Sequence, residues 1–430
     1  MEIVAGRVID TNRTQSGLCG RWMKIGRLKG PMFRLMRNQT TIVSGLSTII
    51  LIGGGMTGCS SSSPTASETD AFTTPVPTVS AELDFTTSEN QDVSFKTWQE
   101  LADAGDPEAQ FMMGVFHQNG QDVVADADTA FGWYEMSANQ GYAPAQNNLG
   151  MMLFEGNGRD ADVESAVAWY RRAAEQGFAP AENNLGVVYL VDSNMPEDDQ
   201  EAVRWLESAA KQGNDKAQCM MGTLCFEGRG VEKNDEEAAR WFQLASDQGN
   251  STAQGSLGLM YYDGVGVQQD FETAARWVSM AAESGSAKSQ FLLGWMYLEG
   301  VAFEQDSELA AVLIRSSADN GSPIAQATYG MMCLEGQGVE ADHEEAARYL
   351  AFAADEGVAA AQNTLAMLYL KGEGVEKNLD TATMWLQLAA DQGMEVARER
   401  LHLMNLSRTA STEFEFDGPT AFETAEAEAD

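Results

Sequence analysis

Between residues 106 and 393 the apolar positions fall at helical rather than strand spacing, in a pattern that repeats eight times. Units of 36 residues can be numbered from the residue after each of Gly105, Gly141, Gly177, Gly213, Gly249, Gly285, Gly321 and Gly357. In these units positions 4, 8, 11 and 12 carry the small or apolar residues, which form one face of a first helix. Position 4 is Ala109, Ala145, Ala181, Ala217, Ala253, Ala325 and Ala361, with Ser289 as the exception. Position 9 is Gly114, Gly150, Gly186, Gly222, Gly258, Gly294 and Gly330, then Ala366. Two such small columns let a neighbouring helix approach closely.

A turn and a second helical pattern follow. Position 21 reads Asp126, Asp162, Asp198, Asn234, Asp270, Asp306, Asp342 and Asn378, an acceptor side chain where the first amides of a helix lack partners. Glu201, Glu237 and Glu345 stand three residues later, as in a capping box. Position 25 is alanine in every unit. Position 28 is Trp133, Trp169, Trp205, Trp241, Trp277, Leu313, Tyr349 and Trp385, a column that reads as core knobs. Each unit closes on the next glycine of the series, suited to a left-handed helix end. Phe95 to Gly105 reads as a terminal second helix and Met394 to Leu406 as a capping half-unit.

Gly228-Arg229-Gly230, followed by Val231 and Lys233, resembles in isolation the start of a phosphate-cradling loop. The same pair recurs as Gly156/Gly158, Gly264/Gly266, Gly336/Gly338 and Gly372/Gly374, always at a multiple of 36 residues. Five phosphate sites in one chain is not a sensible reading. The glycines belong to the repeat.

The pattern A-Q-x-x-L-G-x-x-Y-x-x-G-x-G-V … A-x-x-W-x-x-x-A-A-x-x-G is clearest in Asn250 to Gly285 and Val358 to Gly393. It resembles the Sel-1-like repeat family, relatives of the tetratricopeptide repeats, over Asp106 to Gly393, about two thirds of the chain. Repeat three departs from it, with Asp192-Ser193-Asn194 in place of the glycine turn. The resemblance implies an all-α fold: an α-solenoid of stacked helix pairs, eight 36-residue repeats wound as a right-handed superhelix. It also implies a concave groove, lined by first helices, that binds protein or peptide segments.

The flanks add a location. The apolar run Ile42 to Met56 has 15 residues, short of the roughly 20 a membrane span needs, and Arg34 and Arg37 precede it. With Met56-Thr57-Gly58-Cys59 and the serines that follow, it resembles a bacterial lipoprotein signal in which Cys59 becomes acylated. Met56 stands where that signal prefers leucine. The expected organisation is an extended or non-native leader (1–31, with translation starting at Met32 or Met36) and a signal peptide (32–58). A Ser/Thr/Pro-rich tether (59–92), a capping helix (93–105), the repeats (106–393), a second capping helix (394–406) and an acidic tail (407–430) follow. The expected location is the outer membrane facing the periplasm, with inner-membrane anchoring or surface exposure as alternatives. Membrane contact is through the lipid alone.

Charge narrows the partners. The formal net charge is −37, and from Cys59 onward 19 basic residues face 62 acidic ones. Such a surface repels nucleic acid and anionic headgroups; it serves solubility or a salty habitat, or else attracts basic protein segments. Catalysis has little support. His117, His343 and His402 lie in different repeats, and Ser208-Ala-Ala-Lys211 lacks the S-D-N and K-T-G partners of penicillin-binding enzymes. Asp160, Asp162 and Glu164 alternate as in a calcium loop, but Arg171 stands where its bidentate glutamate belongs. Cys219, Cys225 and Cys333 read as buried thiols. No catalytic residue, metal or cofactor is expected. The resemblance leaves two alternatives to a scaffold: an enzyme acting on cell-wall peptides or β-lactams, and a periplasmic regulator of a sensor kinase.

Positions 6 and 10 fall off the core stripe of the first helix and supply the candidate groove: Phe111, Val115, Asn147, Met151, Asn183, Val187, Leu259, Phe291, Trp295, Met331, Asn363 and Met367. Asn147 and Asn183 resemble the asparagines with which tetratricopeptide grooves hold a ligand backbone. Glu155, Glu227, Asp263, Glu299 and Glu335 at position 14 would form an acidic rim. If this stripe faces solvent, truncating Phe291 and Trp295 together should weaken binding with little effect on stability; if it packs against the adjacent repeat, the double variant should melt early and the groove lies elsewhere. At the other end of the chain, Cys59→Ala should leave unprocessed precursor and abolish fatty-acid labelling; unchanged labelling would overturn the lipoprotein expectation.

Overall fold

In the computed structural model, which describes residues 95–191 and 198–414, all regular secondary structure among the described residues is helical. Cys59, the signal, the tether, most of the acidic tail and the divergent turn of repeat three lie outside them. Two compact units divide the helices, one ending at Gln269 and the other beginning at Asp270. Within each unit every helix packs on the one before it and the one after, forming stacked helix pairs. Repeat four is typical, with first helix Asp215–Glu227 and second helix Asp235–Asp247. The flanking helices are Phe95–Asp103 and Glu395–Phe414, and the latter runs eight residues past the expected end at Leu406.

The position-21 column caps second helices. Asn234 Oδ1 accepts the amide of Glu237, and Asp126, Asp162, Asp270, Asp306, Asp342 and Asn378 accept equivalent amides. Capping boxes do not form. Glu237 pairs with Arg240, Glu345 with Arg315 and Arg348, and Glu201 with Arg204. The cap residue's own amide has a better partner, the carbonyl at position 12: Asn234 N–H donates to Cys225 O, Asp306 to Tyr297 and Asp342 to Cys333. That bond closes the turn between the two helices of a pair, so the glutamate is not needed there.

The second glycine of the turn answers a steric demand. Gly338 and Gly374 hold φ of 71° and 69°, and a Cβ on either would sit about 2 Å from a carbonyl oxygen of the preceding repeat, Ser307 O and His343 O. In repeats one and six the same position is Asp122 and Ala302, which keep the left-handed backbone (φ 60° and 63°) at a conformational cost.

The core knobs stand one column away from where the tryptophans suggested. Position 28 is only half-buried in seven of the eight repeats. Position 29 (Tyr134, Tyr170, Leu206, Phe242, Ile314 and Leu350) is buried, and it meets the position-9 glycines. A Cβ on Gly114 would fall 2.5 Å from the Tyr134 ring, one on Gly186 2.5 Å from Leu206, and one on Gly330 2.8 Å from Leu350. Indole is amphipathic and too large for a site flush against glycine, so tryptophan occupies the flank.

This contact can be tested in repeat four, where a Cβ on Gly222 would lie 2.8 Å from Phe242 Cδ1. Gly222→Leu should destabilise by at least about 1–3 kcal/mol through overpacking. The loss should concentrate near repeat four, visible as a broadened urea transition. A variant that unfolds like the wild type would remove this contact from the account.

Candidate functional site

Positions 6 and 10 lie one helical turn apart, and the structure closes most of them off from solvent. In the first unit, Phe111 is buried against the rings of Tyr134 and Tyr142, with centroids 5.6 and 5.5 Å away. Val187 is buried, whereas Val115, Met151 and Leu259 stay half-buried. In the second unit, Phe291 and Trp295 are 5% and 8% exposed, stack at 6.4 Å, and share a core cluster with Ile314, Tyr329 and Met332. Met331 is buried and Met367 half-buried. The expectation that Phe291 and Trp295 could be truncated without cost is therefore corrected, because both rings fill space between repeats.

The asparagines form something more specific. Asn183 Nδ2 donates to Asn184 Oδ1 (3.3 Å), Asn184 Nδ2 to Asn147 Oδ1 (2.9 Å), and Asn147 Nδ2 to Asn148 Oδ1 (3.2 Å). This chain of amides crosses from repeat three to repeat two. It ends in Asn183 Oδ1, a buried acceptor without a partner on a residue 4% exposed. An unmet buried acceptor costs about 1–3 kcal/mol, so a ligand N–H reaching it would be well received. In the second unit Asn363 Oδ1 is already taken by Arg400 Nη1, 2.6 Å away on the terminal helix.

The rim carboxylates sit one turn beyond position 10. Burial pushes Glu155, Glu299 and Glu335 above the usual glutamate range and raises Asp263 to about 6. Asp263 Oδ1 is buried without a hydrogen-bond partner. Glu227 occupies the equivalent position in repeat four.

A column that sequence reasoning passed over joins the repeats. Position 5 is Gln110, Gln146, Gln218, Gln254, Gln290, Gln326 and Gln362, with Glu182 in repeat three. Each glutamine Nε2 donates to the carbonyl eight residues back, in the preceding second helix, at 3.0–3.4 Å. In five repeats its Oε1 accepts from Gln or Asn at position 35, at 2.7–3.1 Å. The signal was present as a polar residue beside the small column at position 4.

The chemical alternatives find no support in placement. Ser208 Oγ donates to Glu182 at 3.0 Å, while Lys211 Nζ pairs with Glu207 at 2.7 Å, so the S-x-x-K pair does not converge. Among the described residues no three His, Cys, Asp or Glu side chains come together as a metal site would require. Cys219, Cys225 and Cys333 are buried and form no disulfide.

Phe291→Ala combined with Trp295→Ala should lower the stability of the second unit by at least about 3 kcal/mol, since large-to-small core changes leave cavities. Chemical denaturation reads this directly. An unchanged transition would return these rings to the solvent-facing surface.

The Sel1 repeat family model matches residues 107–142, 143–178, 179–214, 215–250, 251–286, 287–322, 323–358 and 359–394. No curated protein matches this chain. Among solved structures, it is similar to c5321, a protective antigen of uropathogenic Escherichia coli strains displaying an SLR fold. Identity is 34% and the TM-score 0.63, over 74% of this chain and 68% of that one. A Sel1 repeat protein from Oxalobacter formigenes is 32% identical, with a TM-score of 0.54, over 72% of this chain and 89% of that one. Eight matched repeats, built as stacked helix pairs, make this chain a member of the Sel1 repeat family.

Proposed function

We propose that this protein is a lipid-anchored envelope scaffold that holds extended, basic protein or peptide segments against the first helices of repeats two and three. Sel1 repeats typically serve protein–protein interaction, which sets the general class. The observation that carries the finer reading is the open end of the asparagine chain. Asn183 Oδ1 is a buried acceptor without a partner, and the amides behind it fix its position. An extended backbone offers N–H donors, and half-buried Met151 supplies apolar contact nearby in sequence. Glu155, Glu227 and Asp263 add negative charge that favours lysine or arginine in the bound segment. Cys59 and the tether would keep this surface near a membrane. Envelope assembly or polysaccharide export is the proposed setting for such an adaptor.

Affinity capture from native envelopes, followed by mass spectrometry and titration of the recovered segment, tests the reading. Asn183→Leu should weaken binding about tenfold while leaving the thermal midpoint close to wild type. Equal recovery by the variant would overturn the site. Binding should also fall with added salt. Because burial raises Glu155 and Asp263, these two neutralise at higher pH than ordinary acids. Affinity for a basic segment should therefore drop as pH falls, with Asp263 losing its charge near pH 6. Salt- and pH-independent binding would remove the rim from the site.

A further inference from the structure

Glu182 is an acid in a place built for an amide. It is 3% exposed and occupies position 5 of repeat three, where the seven other repeats have glutamine. In those repeats the side chain donates from Nε2 to the preceding second helix, and in five of them it also accepts on Oε1 from position 35. Glu182 keeps the accepting role. Gln212 Nε2 donates to it at 2.7 Å and Ser208 Oγ at 3.0 Å. The donating role has no counterpart in the ionised state. The carbonyl eight residues back is Ala174 O, which receives the Gly177 amide at 2.8 Å, as Ala138 O receives that of Gly141. Ala138 O also receives Gln146 Nε2. A carboxylate has no proton to offer Ala174 O; a carboxylic acid has one.

We propose that Glu182 is a proton-operated tie between repeats two and three. Protonated, its hydroxyl donates to Ala174 O as glutamine does in the other repeats, and the joint is closed. Ionised, it accepts from Ser208 on Oε1 and from Gln212 on Oε2 but has no hydrogen to give Ala174 O, and the joint opens more readily. Ser208 makes the ionised form tolerable. Position 31 is Met136, Arg172, Leu244, Met280, Ser316, Phe352 and Leu388 in the other repeats, and Ser208 is the serine that faces an acid. The groups that bear on Glu182 are uncharged, Ser208 and Gln212 from its own repeat, and no charged side chain offsets its burial, which pushes the carboxyl above the usual glutamate range. The sign follows: the tie is fully present below the unfolded-state value and is lost as pH rises through the higher folded one. The tie exists whether or not the neighbouring surface binds a peptide, although Asn183 is the next residue and the Asn184–Asn147 bond crosses the same boundary.

The test compares the full chain with Glu182→Gln, using hydrogen exchange of residues 143–214 corrected for intrinsic rates and urea melts from pH 4.5 to 8. At pH 8 the amide variant should open several-fold less often in this segment and unfold at higher urea, and the two proteins should converge as pH falls. Identical behaviour at every pH, or a variant less protected at pH 8, would overturn the tie by showing that the carboxylate is settled there as an acceptor. Ser208→Ala provides a readout that a merely structural role would not move. Removing a donor to the ionised form should shift the midpoint of the wild-type pH dependence upward, and the shift should vanish in the Glu182→Gln background. A midpoint that stays in place would also overturn it.

Discussion

The structure depends on one steric fit: a glycine on the first helix of a pair, with a bulky side chain of the second helix pressed against it. A Cβ at Gly114 or Gly186 would collide with Tyr134 or Leu206 at 2.5 Å. Without that Cβ the helix axes come close enough for the alanine columns at positions 4 and 25 to be buried as well. Ala366 in repeat eight stands in the glycine's place opposite Leu386, at the end of the stack, where one small methyl group is accommodated. Close packing of this kind leaves little freedom in how the two helices lie together. It therefore determines where every later side chain in the unit points, including those at positions 5, 6 and 14.

Hydrogen bonding then joins pair to pair. In seven repeats the glutamine at position 5 ties the first helix to the preceding second helix, and the N-cap amide closes the turn onto the position-12 carbonyl. Both bonds satisfy groups that the close packing would otherwise strand, so packing and polar satisfaction support the same register. The arrangement confines variability. Positions needed for the fit are nearly uniform along the chain, whereas positions 6 and 10 range from Ala327 to Trp295. Each repeat can therefore fill the contact with its neighbour differently while the columns that set the helix pair stay the same.

Much of this was legible in the residues. Glycine and aspartate columns carry conformational demands that few other residues meet, so turns and caps could be read directly. Depth was less legible. Positions 28 and 29 are both apolar, periodicity does not distinguish a flank from a buried knob, and the tryptophans drew attention to the wrong one. Glutamine at position 5 was passed over because its value lies in two bonds, one to the preceding second helix and one within its own repeat, that appear only when the helices meet. The stripe at positions 6 and 10 misled for a related reason. Phe291 and Trp295 lie off the core stripe of their own helix, but the next repeat covers them. In a solenoid, one helix has two buried faces.

Repeat three gathers the exceptions. Its turn lacks the two glycines, its position 5 is an acid, and its position 6 ends the asparagine chain on an unmet carbonyl. Any one of these would be a modest local cost in an array whose stability is roughly a sum of repeat and interface terms. Together they set repeat three apart from the other repeats of the first unit. Local opening draws on the least stable boundary first. A uniform stack would have no reason to open at one place rather than another. Here the scaffold's regularity makes the exception effective, because Gln146 and Gln218 hold the joints on either side closed. Movement between repeats two and three would then alter the spacing of Asn147 and Asn184 without loosening the neighbouring pairs.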